Sequence, residues 1–227
     1  MSRLSVDEIQ SRVAAVVDQD QDTTNISSTD YSLRLTYINS GLHRWAEIYP
    51  WQVLYGEYNM LVSTSTGNAS IVLPVNFRKL ASYPKITYDG VSTEEFPEVL
   101  PQEDGQYTDT DKRVWLMGNP AGGYILRVLG TTLVSGASVK IPYLQSPASL
   151  ASPANIPEIP DAEYLVQHTV ATIWETQGDE RFPQARAESN RLLSNMIEYE
   201  NVHNYASTYN RVKTVEERKH GFRLGRD

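Results

Sequence analysis

Apolar residues in the N-terminal part of the chain recur at helical spacing. Ser5 and Glu8 have the spacing of a capping box, and the short apolar stripe behind them predicts a helix over about 5–18. A longer stripe, with steps of four and three residues, predicts a second helix that ends at Pro50. The members of this second stripe are Tyr31, Leu35, Ile38, Leu42, Trp45 and Tyr49.

Helical spacing returns near the C terminus, after segment 145–160. This segment is rich in Pro, Ala and Ser and predicts an extended linker. A third helix is predicted to start beside Pro160 and to stop at Gly178, because proline favours the first turn of a helix and glycine favours its C-terminal end. A fourth helix is predicted from Pro183 to about Asn204, where the apolar face ends.

Between these helical parts the hydrophobic period changes to that of β-strands. Short segments rich in Val, Ile, Tyr and Thr predict an antiparallel β region, with glycine- and proline-containing corners between the strands. The segment "VWLM" (114–117) is apolar on both faces and predicts a central strand. The predicted strands are 52–64, 69–73, 84–88, 112–118, 123–129 and 137–143.

The stretch "STSTGNASIVLPVNFRKL" (63–80) predicts a hairpin with a Gly-Asn corner that stops at a proline. Pro74 cannot donate a ladder hydrogen bond, so the strand is expected to end there. We expect a single helical turn after it, with Phe77 and Leu80 folding back to plug the base of the sheet. The corner is interpreted as a structural hinge between the β region and the helices, not as a catalytic loop.

The segment 91–111 holds seven carboxylates and no basic residue, which predicts a long exposed loop.

The helical stripes on either side of the β region can be buried only by packing together, since each pair is short. The sequence therefore predicts an α+β fold: an antiparallel bundle of about four helices, interrupted by an antiparallel β-sandwich or barrel-like insert. The predicted domains are 1–50 plus 155–204 (helical), 51–154 (β, with the acidic loop 91–111) and 205–227 (an extended C-terminal arm).

Composition narrows the classes of function. The net charge of −8 and the pI near 5.1 argue against a broad basic surface for gripping nucleic acid. The absence of cysteine excludes a disulfide scaffold, a thiol nucleophile and a zinc–thiolate site. The polar start and the lack of a long apolar run predict neither a standard secretory signal nor a membrane span.

Two motifs contain residue types that could carry chemistry. The segment "GNPAGGY" (118–124) has the glycines of a phosphate loop but runs into a strand without a Lys-Ser/Thr pair, so it predicts a hairpin turn. His43 and Glu47 have the spacing for a proton shuttle or two metal ligands, yet such pairs are common on solvated helix faces. We therefore predict no catalytic residue, no metal site and no cofactor, and hence no enzyme.

The C-terminal stretch 205–227 has few apolar residues and an excess of basic ones, which makes it a basic tail on an acidic chain. The aromatic and basic residues of this arm are Tyr205, Tyr209, Arg211, Lys213, Arg218, Lys219, Phe222, Arg223 and Arg226.

The segments "DYSLRLTYINSGLHRWAEIYPWQVL" (30–54) and "STSTGNASIVLPVNFRKLASYPKITYDG" (63–90) together resemble the head-to-tail adaptor proteins of tailed bacteriophages, of the tail tubular protein A type. In that family a helix is followed by a strand, a hairpin, a Leu-Pro-x-x-Phe corner and another strand. The resemblance covers most of residues 30–90 and, more loosely, the helix pair at 160–204. The matching positions are Ile38, Asn39, Trp45, Trp51, Gly67, Leu73, Pro74, Phe77 and Leu80.

The resemblance implies a structural virion protein of the phage neck, assembled in the host cytoplasm as a homo-oligomeric ring, usually a dodecamer. In such a connector the helical domain builds the ring beneath the portal protein, and a downstream tail, nozzle or fibre protein binds below. DNA passes through the lumen during ejection without specific binding, which suits an acidic chain. We expect the arm 205–227 to dock on the portal, with its basic residues pairing with acidic portal surface.

Two alternatives remain open at this point. One is a neck or tail-completion protein at another level of the tail. The other is a carbohydrate- or ligand-binding β module on a helical scaffold. Modules of that kind expose aromatic residues on a platform, whereas most aromatic residues here fall on apolar stripes, which favours the structural role.

Overall fold

The computed structural model describes residues 3–19, 27–62, 66–67, 70–88, 92–99, 112–129, 132–133 and 135–220. These residues form helices and antiparallel sheets, so the predicted α+β class is confirmed. The helices are α1 (Val6–Val17), α2 (Ser28–Ile48), α3 (Glu163–Gln177) and α4 (Phe182–His220). The strands are β1 (Tyr55–Leu61), β2 (Thr66–Gly67), β3 (Ser70–Val72), β4 (Phe77–Leu80), β5 (Lys85–Tyr88), β6 (Ser92–Glu95), β7 (Arg113–Asn119), β8 (Gly123–Leu129), β9 (Thr132–Leu133) and β10 (Ser138–Gln145).

The chain divides into two compact units. The helical unit comprises Met1–Tyr49 and Ser149–Asp227, and the β unit comprises Pro50–Ala148. Residues 149–154, at the C-terminal side of the β unit, therefore belong with the helices.

Helix α3 is the centre of the helical unit, because it packs against α1, α2 and α4. Its apolar residues are almost completely buried, among them Leu165, Val170 and Ala171. Ser5 and Glu8 cap α1 reciprocally: the Ser5 hydroxyl accepts from the Glu8 amide, and the Glu8 carboxylate accepts from the Ser5 amide. The capping box predicted from the sequence is thus present.

The turn between α3 and α4 follows the predicted signals. Gly178 ends α3 with a φ of +69°, in the left-handed region that favours glycine. Asp179 then accepts hydrogen bonds from the Arg181 backbone amide at 2.8 Å and from its guanidinium at 2.7 Å. These bonds to Arg181 lower the pKa of Asp179 to about 2. The carboxylate therefore remains charged and keeps the turn in shape.

Helix α4 is much longer than predicted. It continues through His220 instead of ending near Asn204, so the prediction of an extended arm over 205–227 is wrong for 205–220, and 221–227 lie outside the described residues. The physical reason is that no glycine or proline interrupts the sequence between Pro183 and Gly221. Polarity marks the end of an apolar face, but it does not terminate a helix.

The β unit is built from antiparallel sheets that share one core. The larger sheet has the order β1-β10-β5-β6, and β4 also pairs with β10; the smaller one has the order β3-β8-β7, and β2 pairs with β9. Among the described residues these sheets form no closed barrel. The shared core contains side chains from both larger sheets, including Ile86, Val139 and Ile141 from the first and Ile71 and Leu126 from the second.

Strand β10 organises the larger sheet. One edge pairs with β1 along its length, while the other edge pairs with β5 at Ser138–Lys140 and with β4 from Tyr143 onwards. Pro142 occupies the gap between these two partners, and its carbonyl accepts from the Ala81 amide. Because the gap has no ladder bond that needs an amide donor, proline is tolerated inside a central strand.

Three strand predictions are corrected by this topology. Strands β1 and β3, which precede and follow the Gly67-Asn68 corner, lie in different sheets, so the hairpin predicted within 63–80 is wrong. Residues 77–80, expected as a helical turn, form strand β4. The segment 114–117 belongs to β7, an edge strand whose free side is bridged by Glu98 at Val114. Its two apolar faces arise because Trp115 is covered on the outer face by Val99.

The acidic segment 91–111 is not an exposed loop where the structure describes it. Residues 92–95 form β6 beside β5, and Phe96 is completely buried in the shared core. Buried Phe96 and Val99 alternate with exposed Glu95 and Glu98, so this segment has a buried side and an exposed side. The number of charges alone did not indicate this. Residues 100–111 lie outside the described residues.

The linker 145–160, which begins at the end of the last strand, is held by hydrogen bonds to two helices, α2 and α1. The Asn39 side chain of α2 accepts from the Leu150 amide at 2.8 Å and donates to the Leu150 carbonyl at 2.9 Å. The first amides of α1, at Val6 and Asp7, donate to carbonyls of Asn155 and Pro153. The linker therefore satisfies amides that a helix N-terminus leaves open.

We expect Asn39→Ala to lower the free energy of unfolding of the helical unit by about 2–3 kcal/mol, because it leaves both polar backbone groups of Leu150 without a partner in a half-buried setting. Chemical denaturation followed by circular dichroism measures this change. Asn190→Ala, at an exposed position of α4, is the matched control and should change stability by no more than about 0.5 kcal/mol. Equal effects of the two substitutions would contradict the role of Asn39.

Candidate functional site

The Leu-Pro-x-x-Phe corner lies where the two larger sheets of the β unit meet. Leu73 and Phe77 are buried, and the Phe77 amide donates to the Pro74 carbonyl at 2.9 Å, which closes the turn. The Phe77 ring lies 5.2 Å from the Tyr124 ring of β8 and 5.7 Å from the Tyr143 ring of β10. Phe77 therefore joins the two sheets through aromatic contacts.

Asn76 fixes the corner from the side. Its side-chain nitrogen donates to the Gln145 side chain at 2.9 Å, and its side-chain oxygen accepts from the Tyr143 hydroxyl at 3.3 Å. Its backbone carbonyl accepts from the Ser146 amide at 2.7 Å. Val75, one residue earlier, is fully exposed. The corner is thus a rigid structural element of the β unit.

The residues matched by the family resemblance do not form one site. Leu73 and Phe77 belong to the shared core of the β unit, and Leu80 is partly buried and packs against it. Pro74 is half-buried at the corner, and Gly67 lies in β2. Asn39 and Trp45 belong to α2, where Trp45 is completely buried, and Trp51 is also completely buried. The matching positions are therefore distributed over both units of the chain.

Helix α4 is the most distinctive element of the helical unit. It has 39 residues against 15 in α3, which corresponds to about 58 Å against about 22 Å at 1.5 Å per residue. Its packing stripe lies in its first half, where Ala185, Ser189, Leu193 and Met196 are buried. Helix α4 is therefore more than twice as long as α3, the helix against which it packs.

One further contact holds α4 close to the end of this stripe. The Tyr49 hydroxyl, just after α2, donates to the Asn201 side chain at 2.6 Å. Of the predicted arm residues, Tyr205, Tyr209, Arg211, Lys213, Arg218 and Lys219 lie in α4 beyond this contact. Phe222, Arg223 and Arg226 lie outside the described residues.

A buried polar junction joins three helices, and the sequence reasoning missed it. His168 of α3 is buried, its ring stacks on Tyr164, and its Nδ1 lies 3.5 Å from an Arg186 nitrogen of α4. Arg186 in turn donates to Glu175 at 2.6 Å. A Cβ atom at Gly41 of α2 would lie 2.7 Å from Cδ2 of His168. The available signal was a glycine on the buried stripe of α2, which marks a close approach.

Burial disfavours the charged form of His168. Together with the positive charges of Arg186 and Arg44, and against the smaller opposite effect of Glu175, it lowers the pKa of His168 to about 4. The neutral ring can accept from Arg186 through Nδ1, whereas the protonated ring cannot. The junction is therefore a stability element that requires neutral His168.

Two features of the helical unit bear on the candidate chemistry. His43 and Glu47 lie one turn apart on α2, and no group of three or more His, Cys, Asp or Glu side chains is placed to hold a metal ion within the described ranges. A cleft of about 490 Å³ lies along the seam of α3 and α4, lined by Gln167, Trp174, Arg181, Gln184 and other residues. Among the described helices, none is long and apolar enough to cross a bilayer.

Comparison with known proteins returns no match, either to a protein-family model or to a curated protein.

The pKa of His168 has a consequence for acid stability. Between about pH 6.5 and pH 4 the unfolded chain binds a proton that the folded chain excludes, so stability should fall as the pH is lowered through this window and level off below pH 4. The difference between the His168 pKa of 6.5 in the unfolded chain and about 4 in the folded chain corresponds to about 3 kcal/mol of folding stability. We expect His168→Gln to reduce the pH dependence by a comparable amount, measured as the free energy of unfolding at pH 7 and pH 4.5. An unchanged difference between the two pH values would contradict the assignment.

Proposed function

We propose that this chain is a head-to-tail adaptor of a tailed bacteriophage: a structural, non-enzymatic protein that forms a ring between the portal and the tail and continues the DNA channel. In this proposal the helical unit builds the ring, and the β unit faces the next component of the tail. Residues 30–90 support it through their resemblance to that family. The insertion of a β unit between two pairs of helices is compatible with it, because the resemblance covers residues of α2, of the β unit and, more loosely, the helix pair at 160–204.

Helix α4 is the observation that carries the proposal. Its first half is fixed by the buried stripe and by Tyr49, while residues 205–220 continue the helix beyond them. This distal part contains four basic residues, Arg211, Lys213, Arg218 and Lys219, against Glu216 and Glu217. A basic helical segment that follows the buried stripe in the same helix suits an arm that docks on an acidic surface of another protein.

The charge of the rest of the chain supports the channel role. The whole chain carries 28 acidic and 20 basic residues, and the arm residues 205–227 account for six of the basic ones. The remaining body is therefore more acidic than the whole. An acidic lumen repels the DNA backbone, so that DNA passes without being held.

The portal is the partner with which the arm is tested. We expect the substitution of Arg211, Lys213, Arg218 and Lys219 by Glu to weaken co-sedimentation with the purified portal by about tenfold or more, since surface ion pairs contribute up to about 1 kcal/mol each. Raising the salt concentration should weaken wild-type binding in the same direction. Deletion of 205–227 should abolish co-sedimentation.

A matched control carries the same change of net charge on the β unit. Lys79, Lys112 and Lys140 are exposed there and Lys85 is half-buried, and the substitution of all four by Glu should leave portal binding unchanged. If the deletion or the arm substitutions leave co-sedimentation unchanged, the arm does not dock on the portal. If both sets of substitutions weaken binding equally, the effect is one of net charge alone.

A further inference from the structure

The outer face of the sheet β3-β8-β7 carries a row of exposed apolar side chains. Val72 pairs with Ile125, and Ile125 pairs with Met117, so the three side chains stand next to each other on the same face. They are 70%, 38% and 42% exposed, respectively. A contiguous row of this kind differs from scattered surface residues and marks an interaction surface.

The next row of the same face adds a fixed positive charge. Arg127 lies over the Trp115 ring at 5.2 Å, and Trp115 is itself buried beside Val99. Arg127 forms no ion pair with any residue that the structure describes. Stacking on Trp115 restricts its guanidinium, so that less conformational entropy is lost when a carboxylate binds it.

We propose that this apolar face, centred on Val72, Ile125 and Met117 and bordered by Arg127, contacts the helical unit of a second copy of the chain. Charge complementarity selects this occupant. Residues 1–49 and 149–204 carry sixteen Asp and Glu against seven Lys and Arg, so the helical body offers carboxylates to Arg127. Its exposed apolar side chains, Leu33 and Ile48 among them, offer contacts to the row.

The composition of the face fits such a contact. Interfaces between proteins have a desolvated apolar centre and a polar rim, and the row and its neighbours Ser70 and Arg127 have this arrangement. A contact between different surfaces of identical chains is heterologous, and it closes into a ring when the rotation permits. The inference rests on the ring of the proposed function and names one contact within it, but its test needs only a second copy of the chain and does not involve the portal.

The test measures self-association of the purified full chain by sedimentation equilibrium over a wide range of concentrations. We expect wild type to self-associate, and we expect Val72→Glu and Met117→Glu each to weaken the association by about tenfold or more. Leu61→Glu is the matched control: Leu61 is 73% exposed at the end of β1, outside the row, and its substitution should have no effect. Circular dichroism verifies that each variant is folded.

Crosslinking then identifies the surface that covers the face. Because the chain has no cysteine, Val72→Cys provides a single attachment point for a photoreactive crosslinker. In a mixture of isotopically heavy and light chains, crosslinks from position 72 to the helical unit of another copy support the proposal. A wild type that stays monomeric at every concentration overturns it. So do equal effects of Val72→Glu and Leu61→Glu, crosslinks within one copy only, or crosslinks between the same face of two copies.

Discussion

The burial of α3 against the other three helices is the constraint on which the structure depends. Helices α1 and α2 precede the β unit and α4 follows α3, so the helical core forms only when both ends of the chain come together. The β unit must then leave and return as one insert, and the Asn39 contact with Leu150 holds the returning linker. The buried His168 junction adds polar specificity to the same core, at the cost of sensitivity to acid.

In the β unit, strand β10 and Phe77 hold the strands and sheets together, as α3 holds the helices together in the helical unit. Strand β10 pairs with three strands and accommodates Pro142 at the gap between two of them. Phe77 contacts aromatic rings of both larger sheets and so joins them at the Leu-Pro-x-x-Phe corner. The corner that looked like a hinge is therefore the seam of the β unit, and the strand that follows it is part of the larger sheet.

Sequence reasoning succeeded where the signals are local and failed where pairing or length is decided by distant residues. The capping box at Ser5, the Gly178 stop and the class of fold followed from periodicity and turn chemistry. The sheet partners of β1 and β3 did not, because register depends on contacts far along the chain. Two polar segments also misled the prediction: α4 continues to His220 and β6 forms within acidic sequence, since neither helix nor strand requires an apolar surface on every turn. The His168 junction had only the indirect signal of Gly41.

We propose that the chain assembles as a ring on the portal through its helical unit and α4. Electron cryomicroscopy of the purified chain mixed with the portal tests this most directly. We predict rings of this chain at one end of the portal, with helical density continuing from the ring into the portal at the position of α4. Portal particles without added density, under conditions in which the chain is folded and in excess, would contradict it.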